Sequence, residues 1–277
     1  MKEASSDIKY QPFKGQQAQN LQQQRKIPTQ LNLDAKFKLA GANIAGIGVT
    51  KDNRLFLCNQ AGNNLYVMSD KGQQLATIQM DGKQWGIAME ENLAWITLQG
   101  INSIQTVDIV TMKKGQPIKL PENCYGIALV VDQIAVGGYG KIYIISKTGD
   151  LKKTLDVRES TVHSISVGLK HQLYYAQANR GKSTLKSVGL DGTFTSISAE
   201  DTYHVIDVET DRIGNAYLLE FNAAKFKLFS FEDKSIKTML TTNDGLNKPY
   251  GFAFSKDFSK LFISNYNTSE ILVFLCK

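Results

Sequence analysis

The chain of 277 residues is 42% hydrophobic and 9% aromatic, enough apolar material for a sizeable core, and its 21% of charged residues is the balance of an ordinary soluble protein. No apolar run approaches the roughly 18–20 residues of a membrane span, and Met1–Lys9 is too polar for a secretory signal. The net charge of +6 is split evenly, because five basic and two acidic residues fall in the first 33; a body of +3 does not demand a nucleic-acid partner.

Residues 1–33 are a separate material. Eight of them are Gln, with Lys14, Arg25 and Lys26 interspersed, and such a segment buries too little apolar surface to offset its chain entropy. They read as a flexible linker or tail. The next six residues, 34–39, alternate apolar and polar like a single outer strand without neighbours in sequence.

A signal then recurs about every forty residues. It stands at Gly46-Ile47-Gly48, Gly86-Ile87-Ala88, Gly126-Ile127-Ala128 and Gly251-Phe252-Ala253, with degenerate copies at Ser164-Ile165-Ser166 and Val205-Ile206-Asp207. A fixed period of this size marks a repeat architecture. Within each repeat the signal opens an inner strand, and an Asp-, Asn- or Lys-rich turn follows. A strongly apolar second strand comes next, such as Leu55-Phe56-Leu57-Cys58, then a third, then a more polar fourth. Radially stacked four-stranded blades require this grading, since each blade is buried between two neighbours and only its outermost strand meets solvent.

The expected fold is therefore all-β, a six-bladed β-propeller over residues 34–277. The chain stops after the third strand of its last repeat, so the orphan segment at 34–39 is expected to complete that blade and shut the ring. Glycine in the inner strand is read as crowding near the axis or as a bend.

The blades lack the Gly-His and Trp-Asp signals of WD-type repeats. The last repeat, with Pro249-Tyr250-Gly251-Phe252-Ala253-Phe254 and Leu261-Phe262-Ile263-Ser264-Asn265, resembles an NHL repeat, and the first is similar. Residues 34–277 as a whole resemble the NHL-type propeller at the C-terminus of tripartite-motif (TRIM-NHL-like) proteins. The family's Asn-His-Leu signature is missing, and its RING and B-box zinc modules have no counterpart here, so no ubiquitin-ligase activity is carried over. The resemblance implies the fold and, by analogy, a partner-binding role.

The residue before each signal should lie at one mouth of the axis: Ala45, Trp85, Tyr125, His163, His204 and Tyr250. Planar groups around a mouth stack on aromatic peptide side chains or on bases; alternatively they plug the axis and pack on one another. Loops between second and third strands open on the same face, bringing Tyr139, Arg180 and Lys182, with Lys83 alongside as a phosphate contact. Glu159, Glu200, Asp201 and Glu220 on that rim oppose an anionic ligand.

Asn59, Gln99, Gln177, Glu220 and Asn265 end the second strands, an imitation of the oxygen ligands that hold calcium in lactonase-type propellers. One carboxylate makes a weak metal site, and no P-loop, nucleophile elbow or paired-cysteine motif appears. Cys58, Cys124 and Cys276, odd in number and without metal-type spacing, read as reduced thiols of a cytoplasmic protein. The sequence thus leads to a non-enzymatic recognition module without metal or cofactor. Its expected partner is a protein or peptide, with single-stranded RNA second and an axial metal-dependent hydrolase or lyase third.

Overall fold

A computed structural model describes residue 28 and residues 30–177, 185–197, 202–211, 213–266 and 268–277. Strand β1 (Leu31–Lys38) comes first. Strands β2 (Ile44–Val49), β3 (Leu55–Asn59), β4 (Asn64–Met68) and β5 (Gln74–Gln79) then form an antiparallel sheet in chain order. Strands β6 (Lys83–Met89), β7 (Leu93–Gln99), β8 (Ser103–Asp108) and the short β9 (Ile118–Lys119) form the next.

One seven-stranded sheet follows, made of β10 (Ile127–Val130), β11 (Gln133–Gly137), β12 (Tyr139–Ser146), β13 (Leu151–Val167), β14 (Leu173–Gln177), β15 (Leu185–Val188) and β16 (Phe194–Ser196). Strands β17 (Val205–Thr210), β18 (Asn215–Glu220), β19 (Lys225–Ser230) and β20 (Ile236–Leu240) make a further sheet. The last contains β21 (Pro249–Phe254), β22 (Lys260–Asn265) and β23 (Glu270–Cys276), with β1 on its outer edge.

The grading of the strands follows their sequences. All five residues of β3 and all six of β18 are buried, as second strands packed on both faces should be, whereas β5 alternates toward solvent. Turns that need a left-handed residue receive Asn53, Gly72, Gly149 and Gly192.

The core lies between sheets. Ile44, Leu55 and Leu57 of the first sheet pack with Phe262, Ile271 and Val273 of the last, so the sheets close on themselves as a β-propeller. No helix of the described residues is long and apolar enough to cross a membrane.

Two sequence expectations shift. The expected strand at 34–39 is β1, which begins three residues earlier and pairs with β23 from Leu31↔Cys276 to Lys38↔Glu270. Residues 31–33 therefore belong to the sheet and not to the tail; Leu33 bonds opposite Phe274 because the ladder absorbs an irregularity at Asp34. The rest of the tail, residues 1–27 and 29, lies outside the described residues.

The second shift is that the hydrogen bonding yields five sheets where six separate blades were expected. The reason is β13, whose first half pairs with β12 and whose second half, from Val162, pairs with β14. The chain passes from an outermost to an innermost position without a break in strand geometry.

Candidate functional site

The innermost strands β2, β6, β10, β17 and β21, with the second half of β13, line a central channel of about 410 Å³. They approach one another closely. A Cβ on Gly46 would stand 2.5 Å from the Trp85 carbonyl oxygen, and one on Gly86 would stand 2.6 Å from that of Tyr125; Gly251 is pressed likewise against Ala45. The glycine of the repeat thus lets the backbone of the next inner strand pass.

Just before that position, which is glycine in most repeats and Ser164 in the fourth, the ladder to the second strand skips a residue. The skip falls at Ala45, between the pairs Ile44↔Asn59 and Gly46↔Cys58, and at His163, between Val162↔Gln177 and Ser164↔Ala176. Such bulges re-aim a side chain. Four rings meet at this mouth. Trp85 contacts Tyr125 at 5.2 Å, His163 at 5.0 Å and Tyr250 at 5.6 Å between centroids, and its indole Nε1 donates to the His163 carbonyl at 3.0 Å. They form a lid over the axis, with Trp85 only 6% exposed.

In the fifth repeat the pairs Val205↔Glu220 and Asp207↔Leu219 put the skipped position at Ile206, not His204. Asp207 therefore takes the place that glycine holds in four of the other repeats and Ser164 holds in the fourth. Its carboxylate accepts from Ser164 Oγ at 2.6 Å, from its own neighbour Val208 N at 2.9 Å and from Phe252 N at 2.9 Å, tying the inner strands on both sides. Burial raises its pKa to about 6.

His204 lies outside the lid, on the rim. Its backbone is left-handed, with φ 52°, a conformation His tolerates better than most side chains. The Asn222 side-chain amide nitrogen is 2.7 Å from Nδ1, and the ring edge meets Phe221 at 5.5 Å. Phe221 in turn touches Tyr250 and Tyr266, and Lys248 Nζ stands 6.0 Å from its centroid.

Burial depresses both imidazoles. Burial, with His204 nearby, lowers His163 to about 4, and its Nδ1 is buried without a partner; burial also lowers His204, which is half-buried. Burial, with Tyr266 beside it, raises the Tyr250 phenol, which stays a neutral donor.

The strand-end set has a structural task. Asn59 accepts from Asn43 N, Glu220 from Tyr203 N and Asn265 from Asn247 N, at 3.0, 2.7 and 2.9 Å. Each fastens the loop that enters its own blade's inner strand. Glu220 is also paired with Lys227 at 2.9 Å, both buried. Gln99 is half-buried and pairs in register with Lys83, which is exposed; Gln177 ends β14. Tyr139 is exposed at 63%, away from the lid contacts.

Arg180, Lys182, Glu200 and Asp201 lie outside the described residues. Among the described residues no three His, Cys, Asp or Glu side chains converge as metal ligands. Cys124, buried, gives its thiol to the Ser103 carbonyl, and burial lifts it to about 11. Sequence reasoning placed the loops 220–224 and 265–269 on this face without singling out Phe221, Asn222 or Tyr266, and it missed Lys248. A signal was present, because Phe221 and Tyr266 each directly follow the residue that ends a second strand.

No protein-family model matches the chain, and no curated protein does. Solved structures do. A selenomethionine form of virginiamycin B lyase from Staphylococcus aureus matches with a TM-score of 0.68 at 13% identity, over 90% of this chain and 100% of that one. A catalytically inactive variant of that lyase, with one histidine replaced by alanine and quinupristin present, gives 0.67 at 12%, over 90% and 100%. A streptogramin B lyase gives 0.64 at 14%, over 91% and 100%. The chain shares their fold.

These neighbours overturn two expectations, that of a non-enzymatic recognition module and that of no enzymatic activity. The repeat pattern that suggested a binding module reports blade packing, which enzymes and binding modules have in common.

Proposed function

We propose that this propeller is an enzyme of the lyase class that takes its substrate on the face bearing the aromatic lid. The observation that carries the reading is the state and setting of His204 on the open side of that lid. Its lowered pKa keeps the ring neutral at neutral pH. Donation from Asn222 to Nδ1 selects the tautomer with the proton on Nε2.

A neutral imidazole N–H is suited to donate to a substrate oxygen on which negative charge develops during the reaction. Lys248 adds positive charge to the same lobe. Phe221, Tyr250 and Tyr266 offer apolar surface against which a substrate excludes water. The likeness to lyases over 90% of this chain, one of them inactivated by loss of a histidine, supports this chemistry.

On the same reading the propeller has six blades. The two arms of the seven-stranded sheet, sharing β13, are taken as blades three and four, and six hydrophobic clusters between successive blades agree with that count. The NHL-type likeness of the repeats belongs to this reading, as does a single propeller unit following the Gln-rich tail.

The test is turnover of quinupristin and virginiamycin B by the wild type and by His204→Ala. Loss of an oxyanion donor lowers kcat by about 10²–10³-fold. A variant as active as the wild type would remove His204 from the chemistry.

A further inference from the structure

A groove of about 630 Å³ runs between the two arms of the seven-stranded sheet and shares no lining residue with the axial channel. One wall is the first half of β13, where Lys153, Leu155 and Val157 alternate onto one face. The other wall is formed by β14, β15 and β16. Tyr175 stands opposite Lys186 in the ladder and Val188 opposite Phe194, so these four share a face. Leu155, Val157, Tyr175 and Val188 pack in one core cluster, which turns that face toward β13. Across the gap, Lys153 Nζ donates to the Leu190 carbonyl at 2.8 Å and ties the walls together.

The floor is apolar, yet Tyr175, fully buried, carries a hydroxyl with no hydrogen-bond partner. Burial pushes that phenol up to about 12, so it keeps its proton as a neutral donor. Beside it Lys186, half-buried, has no ion-pair partner among the described residues. Lys153 adds a second positive charge. Asp156, the one acid among the described lining residues, alternates to the other face of β13, opposite Lys141. Phe194 is 52% exposed at the outer edge.

We propose that this groove binds a small aryl carboxylate. One carboxylate oxygen accepts from Lys186 Nζ and the other from the Tyr175 hydroxyl, two residues whose Cβ atoms cross-strand pairing sets about 5 Å apart. The Lys186 side chain is flexible and turns toward the anion, which opens the way to the hydroxyl beneath it. The aryl ring lies on Leu155 and Val157 and meets Phe194 at its edge. A single negative charge matches one unpaired ammonium and one neutral donor, whereas a phosphate dianion would leave oxygens without donors. The groove does not depend on the lyase reading of the rim.

Titration calorimetry with 3-phenylpropionate, and with 3-phenylpropanamide as the neutral control of the same shape, tests it. Saturable binding of the carboxylate is expected, with the amide at least about tenfold weaker. Lys186→Met keeps the length of the side chain and should weaken binding at least about tenfold. Tyr175→Phe should weaken it about three- to tenfold and leave Tm unchanged or raised, because the hydroxyl removed has no partner to lose. Phe194→Ala alters an exposed side chain and should also weaken binding; it decides the matter if another variant does not fold. No saturable binding, equal binding of the amide, or binding unchanged in any folded variant of the three would overturn the proposal.

Discussion

Gly251 and Asp207 solve one problem in opposite ways. At Gly251 the inner strand leaves no room for a side chain beside Ala45, so backbone lies on backbone. At Asp207 a side chain fills the gap and bonds to both neighbouring strands. Gly251→Val is therefore expected to cost about 2–4 kcal/mol, since neither the Ala45 carbonyl nor the strand carrying it can retreat in a closed ring. Urea unfolding measures this, and a loss below half a kcal/mol would show that the strands are not pressed together. Asp207 and His163 also predict a pH signature. Asp207, raised from 3.8 to about 6, holds its proton more tightly when folded, so its contribution to stability grows as pH falls from 6 toward 4. His163, lowered from 6.5 to about 4, resists a proton when folded, so its contribution is full above 6.5 and is lost as pH falls toward 4. Each amounts to about 3 kcal/mol, and in the wild type they offset. In Asp207→Asn, stability should drop on acidification from pH 6.5 to 4; in His163→Phe it should rise over the same range. Parallel profiles for both variants and the wild type would mean that neither group is perturbed.

Among the strands, β1 and β13 carry the construction. Strand β1 covers the edge of β23 along its whole length and is anchored beyond its start by paired backbone bonds between Gln30 and Lys277, at 3.0 and 3.1 Å. Removing residues 1–38 should expose that edge and give aggregated or unfolded protein by size-exclusion chromatography and circular dichroism. A monomer with unchanged Tm would show that closure does not depend on it. Most strands were legible in the sequence because their burial is periodic: fully buried second strands are continuous apolar runs, and outer strands alternate. Strand β13 was not, because the 158–161 stretch reads as polar and charged, like a turn, yet continues as strand. The fifth repeat was misaligned by two residues for a related reason. Without a glycine, Val205-Ile206 imitates the repeat signal, and only the pairing with Glu220 and Leu219 places Asp207 at the glycine position. That error moved His204 onto the lid in the sequence reading, although the structure sets it on the rim. Lid residues Trp85, Tyr125, His163 and Tyr250 were legible, because topology alone fixes where an inner strand begins.

Over the whole molecule, the ring organises two separate environments around one axis. One is the rim, where His204, Asn222, Lys248 and the rings of Phe221, Tyr250 and Tyr266 gather from the last two sheets. The other is the channel behind the lid. A rigid closed scaffold suits the rim, since its groups are held in place before any ligand arrives and little ordering entropy is lost on binding. The charge of the body and the thiols buried at Cys58 and Cys124 add no chemistry of their own. The activity proposed for the rim is elimination. Its most direct test is mass spectrometry of quinupristin and virginiamycin B after incubation with the wild-type protein. Elimination predicts a time-dependent product, reduced in His204→Ala, whose summed mass equals that of the substrate. Products heavier by one water, or both compounds recovered intact at stoichiometric enzyme, would contradict it.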